Sequence, residues 1–169
     1  MTDKYSALTE LGIRVTARNI RQLDEKEIRA ILESERRGVL SLHGENGYPY
    51  GLPINYLYDA VSGCIYFHSG KVGHKTDAIN ADNRASFCVY DAGFRKDGEW
   101  ALNVKSVIVF GKINIVTDRE RAREIYRALS KKFTSDTEYI ESEIERFESA
   151  TVCYELRPEH VSGKIVNEA

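Results

Sequence analysis

Residues 39–58 read VLSLHGENGYPYGLPINYLY and carry the clearest structural signal in the chain. Asn46 and Gly47 separate a short apolar run from a segment in which every second residue is apolar or aromatic, namely Tyr50, Leu52, Ile54, Tyr56 and Tyr58. Asn-Gly favours a tight hairpin turn, and alternation with a period of two is typical of a half-buried strand. The stretch therefore predicts two antiparallel strands, the second running without interruption from residue 49 to residue 58.

Similar patterns extend the sheet beyond the hairpin. Further strands are predicted over 64–68 (as the third strand of a meander), 85–90, 104–116 (the longest, with a bulge at Gly111), 151–156 (ended by Arg157-Pro158) and 161–166. Helices are predicted over 24–37, with an Asp24–Glu27 capping box, and over 74–80. Two more helices are predicted after Asp118. The first has an apolar face of Ala122, Ile125, Tyr126, Leu129 and Phe133, and the second has an apolar face of Ile140, Ile144 and Phe147. The fold class is mainly β (α+β), an antiparallel sheet expected to close into a barrel with flanking helices.

Length and composition set limits on function. A chain of 169 residues with 42% hydrophobic and 30% charged residues is typical of one globular domain, here 23–169, preceded by an extended arm or late-packing strand over 1–22. The net charge of -2 argues against a nucleic-acid partner. No apolar run is long enough to span a membrane and the N-terminal residues do not resemble a secretory signal, so a cytoplasmic location is expected. Cys64, Cys88 and Cys153 fall within strand-like stretches and are expected to be buried free thiols.

The segment FHSGKVGHK at residues 67–75 is the main candidate for chemistry. It leaves a predicted strand, turns through two glycines and enters a predicted helix. Free backbone N–H groups and the positive end of a helix favour an anion at such a junction, and Ser69, His74 and Lys75 add donors, which suits a phosphorylated cofactor. Taken alone, this segment favours a plain strand-to-helix loop with solvated Lys71 and Lys75, because glycine-rich loops are common.

A wider resemblance adds weight to the phosphate interpretation. From Leu23 to Lys164 the chain carries, in order, GVLSL, GYPYGLPINY, IYFHS followed by HK, NRASF and SVIVFGKI. This order resembles the pyridoxamine 5'-phosphate oxidase-like FMN-binding split-barrel family, and within it the nitroimidazole-resistance (Nim) flavoproteins. The resemblance implies a six-stranded split β-barrel and a homodimer with FMN at the subunit interface. It also implies an FMN-dependent oxidoreductase that reduces small nitro or other oxidised compounds with NADH or NADPH.

The resemblance assigns site residues by position. Pro53, Ile54, Asn55 and Tyr56 match the family's strand beside the isoalloxazine ring. His68 and Ser69 match the strand end near the ribityl phosphate, and His74 and Lys75 match the two basic positions that bind the phosphate. Ser106 matches the polar position at the edge of the flavin ring. Two interpretations of Trp100 stay open: a core anchor, or a residue that with Asn103 reaches the partner's flavin or the substrate. Residues 160–166 read HVSGKIV where the oxidase branch has an Arg-x-His-x-Arg-like pattern, so pyridoxamine phosphate oxidase activity is not expected.

Other functions are less consistent with the sequence. Cys64 and His68 would lie about 13 Å apart on a strand, too far to share a zinc ion. No hydrolase elbow, dinucleotide fingerprint or P-loop is present. A non-catalytic flavin- or haem-binding module, with His68 as a haem ligand, is the alternative.

Overall fold

A computed structural model describes residues 22–168, and its central feature is one antiparallel sheet of seven strands. In chain order they are β1 (Arg37–His43), β2 (Pro49–Asn55), β3 (Leu57–Tyr58), β4 (Ile65–Gly70), β5 (Arg84–Tyr90), β6 (Asn103–Ile115) and β7 (Thr151–Asn167). Their order across the sheet is β2-β1-β5-β6-β7-β4-β3. The sheet curls into a half-barrel, which confirms the predicted class with seven strands in place of six. Residues 1–21 of the predicted arm lie outside the described residues.

The predicted hairpin forms, but its second strand is shorter than expected. β1 and β2 pair from Arg37 opposite Asn55 to His43 opposite Pro49. The prediction of one strand from 49 to 58 is wrong, because the chain leaves β1 at Tyr56, whose side chain is fully buried with its ring against that of Phe87 at 4.8 Å. The next two residues form β3, which pairs with β4. The predicted meander is confirmed only at Leu57 and Tyr58, which form β3 and pair with β4, whereas β2 does not pair with β4.

The C-terminal strands differ from the prediction for one local reason. β7 is continuous over 17 residues, so the predicted division at Arg157-Pro158 is wrong and β6, with 13, is not the longest strand. The bulge predicted at Gly111 is confirmed: Gly111 pairs with Pro158, Phe110 pairs with His160, and Glu159 is the extra residue. A bulge tolerates proline, which has no N–H to donate to the ladder.

The helices are α1 (Glu25–Ser34), α2 (His74–Ala81), α3 (Arg119–Lys131) and α4 (Thr137–Phe147). Asp24 and Glu27 form the predicted capping box, and Asp118 caps α3 through the backbone N–H of Arg121. Phe133 and Phe147 were expected on buried faces but are 39% and 44% exposed. Both lie at helix ends, on the wall of an open cavity. None of the helices in residues 22–168 has the length and apolarity needed to cross a bilayer.

Two apolar clusters hold the elements together. The larger lies on the inner face of the sheet and includes Leu32 of α1 and Ile79 of α2. The smaller packs α3 and α4 against the outer face at β4 and β7, where Tyr66 and Cys153 lie. Cys64 and Cys153 are buried and Cys88 half-buried, and all three are free thiols.

The rest of the outer face is more open. Val39 of β1 and Tyr90 of β5 are 37% and 62% exposed there. This surface continues toward the cavity beneath α3 and α4, because the cavity includes Asn55 at the end of β2.

Candidate functional site

The β4–α2 junction has the predicted order of strand, glycine-containing loop and helix. Gly73 has a φ of 125°, a conformation that L side chains rarely adopt, and α2 begins immediately after it. No side chain in the described range 22–168 caps the first turn of α2, so its first N–H groups remain available. The backbone N–H of Lys71 donates to the carbonyl of Ala150 at 3.2 Å, which ties the loop to the segment before β7. The helix presents its positive end to this loop.

Lys75 places a cation in the first turn of α2. Its side chain is half-buried, and burial lowers its pKa below the ordinary value of 10.5. Among residues 22–168, Lys105 and Lys112 form ion pairs with carboxylates, whereas no carboxylate lies within 4.0 Å of the Lys75 ammonium. A half-buried ammonium without a counter-charge would be stabilised by an anion in the adjacent loop.

A ring stack and a hydrogen bond hold α2 against the sheet. The imidazole of His74 stacks on the Tyr50 ring with centroids 4.2 Å apart and planes at 12°. The Thr76 hydroxyl shares a 2.9 Å hydrogen bond with the buried Tyr154 hydroxyl. Sequence reasoning placed Tyr50 in a strand but missed its role in positioning His74, because strand alternation does not reveal a contact with a helix 24 residues later.

A cavity of about 560 Å³ opens between the outer face of the sheet and the two C-terminal helices. Asn55, His68 and Gly70 line its sheet side, and the helices contribute mostly apolar and aromatic side chains, among them Leu129, Phe133, Tyr139, Ile140 and Phe147. We call it the α3–α4 cavity. Helical periodicity predicts most of these residues as core, so no separate pattern in the sequence indicates a pocket.

His68 projects into this cavity. Its ring centroid lies 6.3 Å from that of Tyr126 in an edge-on arrangement. The imidazole is reached by water, but crowding by protein atoms and then the positive charge of Lys75 lower its pKa below 6.5. The neutral form of His68 is therefore favoured, and a neutral imidazole donates one hydrogen bond and accepts one. Residues 22–168 contain no group of three His, Cys, Asp or Glu side chains arranged around a metal position.

The four predicted residues on and after β2 divide between two faces. Pro53 is exposed and Asn55 lines the cavity, so both belong to the outer surface. Ile54 packs against the inner core, and Tyr56 is fully buried with its hydroxyl donating to the carbonyl of Ile31 at 3.5 Å. Only the backbone of these two residues is available to a ligand on the outer face.

The remaining predicted residues lie away from the cavity within one chain. Ser106 of β6 pairs with Tyr90 and Lys164. Asn103 is buried, and its amide group bonds to the carbonyl of Phe94 and to Asn167. Trp100 is 76% exposed, so its interpretation as a core anchor is wrong.

The family follows from a comparison that covers nearly all of this fold. A family model described as pyridoxamine 5'-phosphate oxidase matches residues 24–165, from the cap of α1 to the end region of β7. The chain belongs to this family. Membership in the pyridoxamine 5'-phosphate oxidase family accounts for the curled antiparallel sheet and its flanking helices. No curated protein matches the chain at a significant level.

Solved structures agree with the fold of the pyridoxamine 5'-phosphate oxidase family. A candidate 5-nitroimidazole antibiotic resistance protein from Bacteroides thetaiotaomicron is similar at 17% identity with a TM-score of 0.72, over 86% of this chain and 87% of that chain. An FAD-binding protein from Mesorhizobium loti is 23% identical with a TM-score of 0.63, over 86% and 97%. An FAD and haem binding protein from Mycobacterium smegmatis is 17% identical with a TM-score of 0.68, over 88% and 74%.

Proposed function

We propose that this chain is a flavin-dependent oxidoreductase that binds FMN and acts as a homodimer. The observation that carries the proposal is Lys75, a half-buried ammonium in the first turn of α2. Within residues 22–168 it has no carboxylate partner, and no side chain caps the helix. The FMN phosphate is dianionic near neutral pH and matches this combination of an ammonium, free N–H groups and a helix N-terminus. Ser69 and His74 supply further donors around it.

The flavin ring requires a flat, largely apolar surface beside its phosphate site. The outer surface at Pro53 and Asn55 and the adjoining α3–α4 cavity offer such a surface. The backbone of Ile54 and Tyr56 borders it, while Asn55 can hydrogen-bond a polar ring edge. His68, neutral and accessible, is positioned to hydrogen-bond a ligand in the cavity and to hold a proton there.

When bound, FMN supplies the electron transfer, and the protein supplies position and polarity. We propose that the acceptor is a small nitro or otherwise oxidised compound and that NADH or NADPH is the donor. The structural likeness to the candidate nitroimidazole-resistance protein supports this acceptor class. The absence of the oxidase-type arginine pattern from the HVSGKIV segment supports a substrate other than pyridoxamine phosphate.

The homodimer places a second chain on the open outer face. Ser106, Trp100 and Asn103 do not line the cavity of their own chain. In the proposed dimer the exposed Trp100 reaches the partner's flavin, and Asn103 anchors the segment that carries it through its bonds to Phe94 and Asn167.

Flavin titration of Lys75→Ala tests the phosphate assignment. The purified wild-type protein is expected to be yellow. Loss of one charge-assisted contact is expected to raise the FMN Kd by roughly tenfold to a hundredfold. Lys71→Ala is the matched control, since Lys71 is an exposed lysine of the same loop. Wild-type protein that takes up no FMN, or equal losses in the two variants, would refute the proposal.

A non-catalytic flavin- or haem-binding module is the second candidate, favoured by the neutral imidazole of His68 in an apolar cavity. Anaerobic mixing of FMN-loaded protein with NADH and with NADPH separates the two. Bleaching of the flavin absorbance supports the reductase. No bleaching with either donor, or a haem absorbance band in place of flavin uptake, supports the module.

A further inference from the structure

Two neighbouring arginines, Arg36 and Arg37, form no ion pair with a carboxylate of residues 22–168. Residues 22–168 contain eleven arginines, and seven of them lie within ion-pair distance of a carboxylate: Arg84, Arg119, Arg121, Arg123, Arg127, Arg146 and Arg157. Arg36 and Arg37, between α1 and the first position of β1, are among the four that do not. Two consecutive residues therefore carry exposed guanidinium groups that form no ion pair within the described part of the chain.

Arg36 and Arg37 each contact one residue that lines the α3–α4 cavity, at the edge that we call its rim. The Arg37 Nε donates to the Asn55 Oδ1 at 3.0 Å, and the Arg36 Cζ lies 5.7 Å from the centre of the Phe133 ring. Asn55 and Phe133 both line the cavity. Arg36 and Arg37 also line an adjoining cleft of about 520 Å³ that includes Pro53. An aromatic ligand in the α3–α4 cavity would therefore lie close to both guanidinium groups.

The charges around this rim are predominantly positive. Lys132 Nζ lies 4.4 Å from the centre of the Tyr56 ring and donates to the backbone carbonyl of Glu35. Burial lowers the pKa of Lys132, and the charge of Arg36 lowers it further against the opposing effect of the Glu35 carboxylate. The other nearby carboxylate, Asp91, accepts the backbone N–H groups of Gly93 and Lys105. The three cations Arg36, Arg37 and Lys132 therefore lie near two carboxylates, Glu35 and Asp91, and one positive charge is left in excess.

We propose that Arg36 and Arg37 form an anion-binding subsite at the rim of the α3–α4 cavity, and that the cavity takes a small aromatic acid. The aromatic ring packs against Phe133 and the apolar helix residues, and the carboxylate receives hydrogen bonds from the guanidinium groups, whose planar donors match a carboxylate. The statement that this acid is the electron acceptor rests on the proposed function. The binding preference itself does not require flavin.

Isothermal titration with two matched probes tests the subsite. 4-Nitrobenzoate carries the carboxylate, and 4-nitrobenzyl alcohol is a neutral compound of similar size. The wild-type protein is expected to bind the acid roughly tenfold more tightly than the alcohol, with a preference that falls as salt is added. In the Arg36→Gln/Arg37→Gln double variant this preference is lost while the Kd of the alcohol is unchanged. Arg29→Gln is the control, because Arg29 on α1 is also exposed and forms no ion pair with residues 22–168.

Three outcomes would overturn the proposal. One is equal affinity of the wild-type protein for the two probes. A second is the same loss of preference in the Arg29→Gln control. The third is a double variant that keeps the preference but loses FMN affinity, which would assign the arginines to the cofactor. If the acid preference is found in a protein that takes up no FMN, the subsite stands and the proposed function fails.

Discussion

At the candidate site, the side chains of Lys75 and His68 are electrostatically coupled. Lys75 has no carboxylate partner in the described chain, and its charge helps to lower the pKa of His68. A cation that is not neutralised influences its neighbours more strongly in a partly desolvated site than at an open surface. Lys75 therefore affects both anion binding in the loop and the protonation of the cavity histidine.

Lys75→Met is expected to raise the pKa of His68 toward 6.5 without reaching it, because burial, the larger cause, remains. A titration of the histidine ring signals by NMR measures this shift. Lys71→Met should leave the His68 titration unchanged. A His68 pKa that does not move in Lys75→Met would show that the two side chains are not coupled.

Gly73→Ala is expected to destabilise the fold by about 1–3 kcal/mol through backbone strain. A Cβ at Gly73 would contact nothing within 4 Å, so the φ of 125° is the sole cause. Gly70→Ala is the control, since a Cβ there also meets open space but the backbone is not left-handed. Urea unfolding measures both variants. Equal stability of the two would remove the conformational argument for glycine at 73.

Between elements, a network of charged side chains joins α3 to the end of α4. Glu148 accepts hydrogen bonds from Arg119 at 2.8 Å and Arg123 at 2.8 Å, and Glu141 accepts from Arg127 at 2.5 Å. These pairs align the two helices that form one wall of the cavity. The hydrogen bond from Arg119, with the charges of both arginines, lowers the pKa of Glu148 to about 2.

Glu148 is expected to make the free energy of unfolding depend on pH. Because its pKa falls from 4.5 to about 2 on folding, its contribution is complete above pH 4.5 and is lost as the pH falls toward 2. Glu148→Gln should lower the Tm at pH 6 and flatten the decline of Tm in that window. Thermal unfolding from pH 2.5 to 6 measures this, with Glu145→Gln on the exposed side of α4 as control. An unchanged pH profile in Glu148→Gln would contradict the assignment.

For the molecule as a whole, the open part of the outer sheet face explains why one chain does not complete the proposed site. Helices cover the inner face and the outer face at β4 and β7, whereas side chains such as Val39 and Tyr90 stay exposed. Trp100 lies on the loop after β5 and is also exposed. A second copy on this face would bury these apolar surfaces together.

The purified wild-type protein is expected to elute with twice the chain mass of 19.2 kDa in size-exclusion chromatography with light scattering. Val39→Asp should shift it to the single-chain mass and weaken FMN binding, because the carboxylate would be desolvated in the interface. Val61→Asp is the control, since Val61 is 98% exposed in the turn between β3 and β4. A wild-type monomer that binds FMN would contradict the proposed dimer.

Much of the fold could be predicted because local patterns encode it. The Asn46-Gly47 turn, the Asp24–Glu27 capping box and the Gly111 bulge each depend on the conformational preference of one or two residues. The split at Tyr56 could not be predicted in this way. Alternation gives Tyr56 the pattern of a strand residue, but its burial against Phe87 depends on a strand 31 positions later.

The sequence alone predicted an antiparallel, mainly β fold and the strand–loop–helix junction before Lys75, because strand alternation and glycine spacing are properties of adjacent residues. The split-barrel class followed from the resemblance of its ordered motifs to a known family. The tertiary structure was needed for the continuity of β7 through Pro158, the stacking of Tyr50 on His74, the exposure of Trp100 and the α3–α4 cavity. Each of these depends on contacts between segments far apart in the chain. Such contacts are determined only when the whole sheet curls and the helices pack against it.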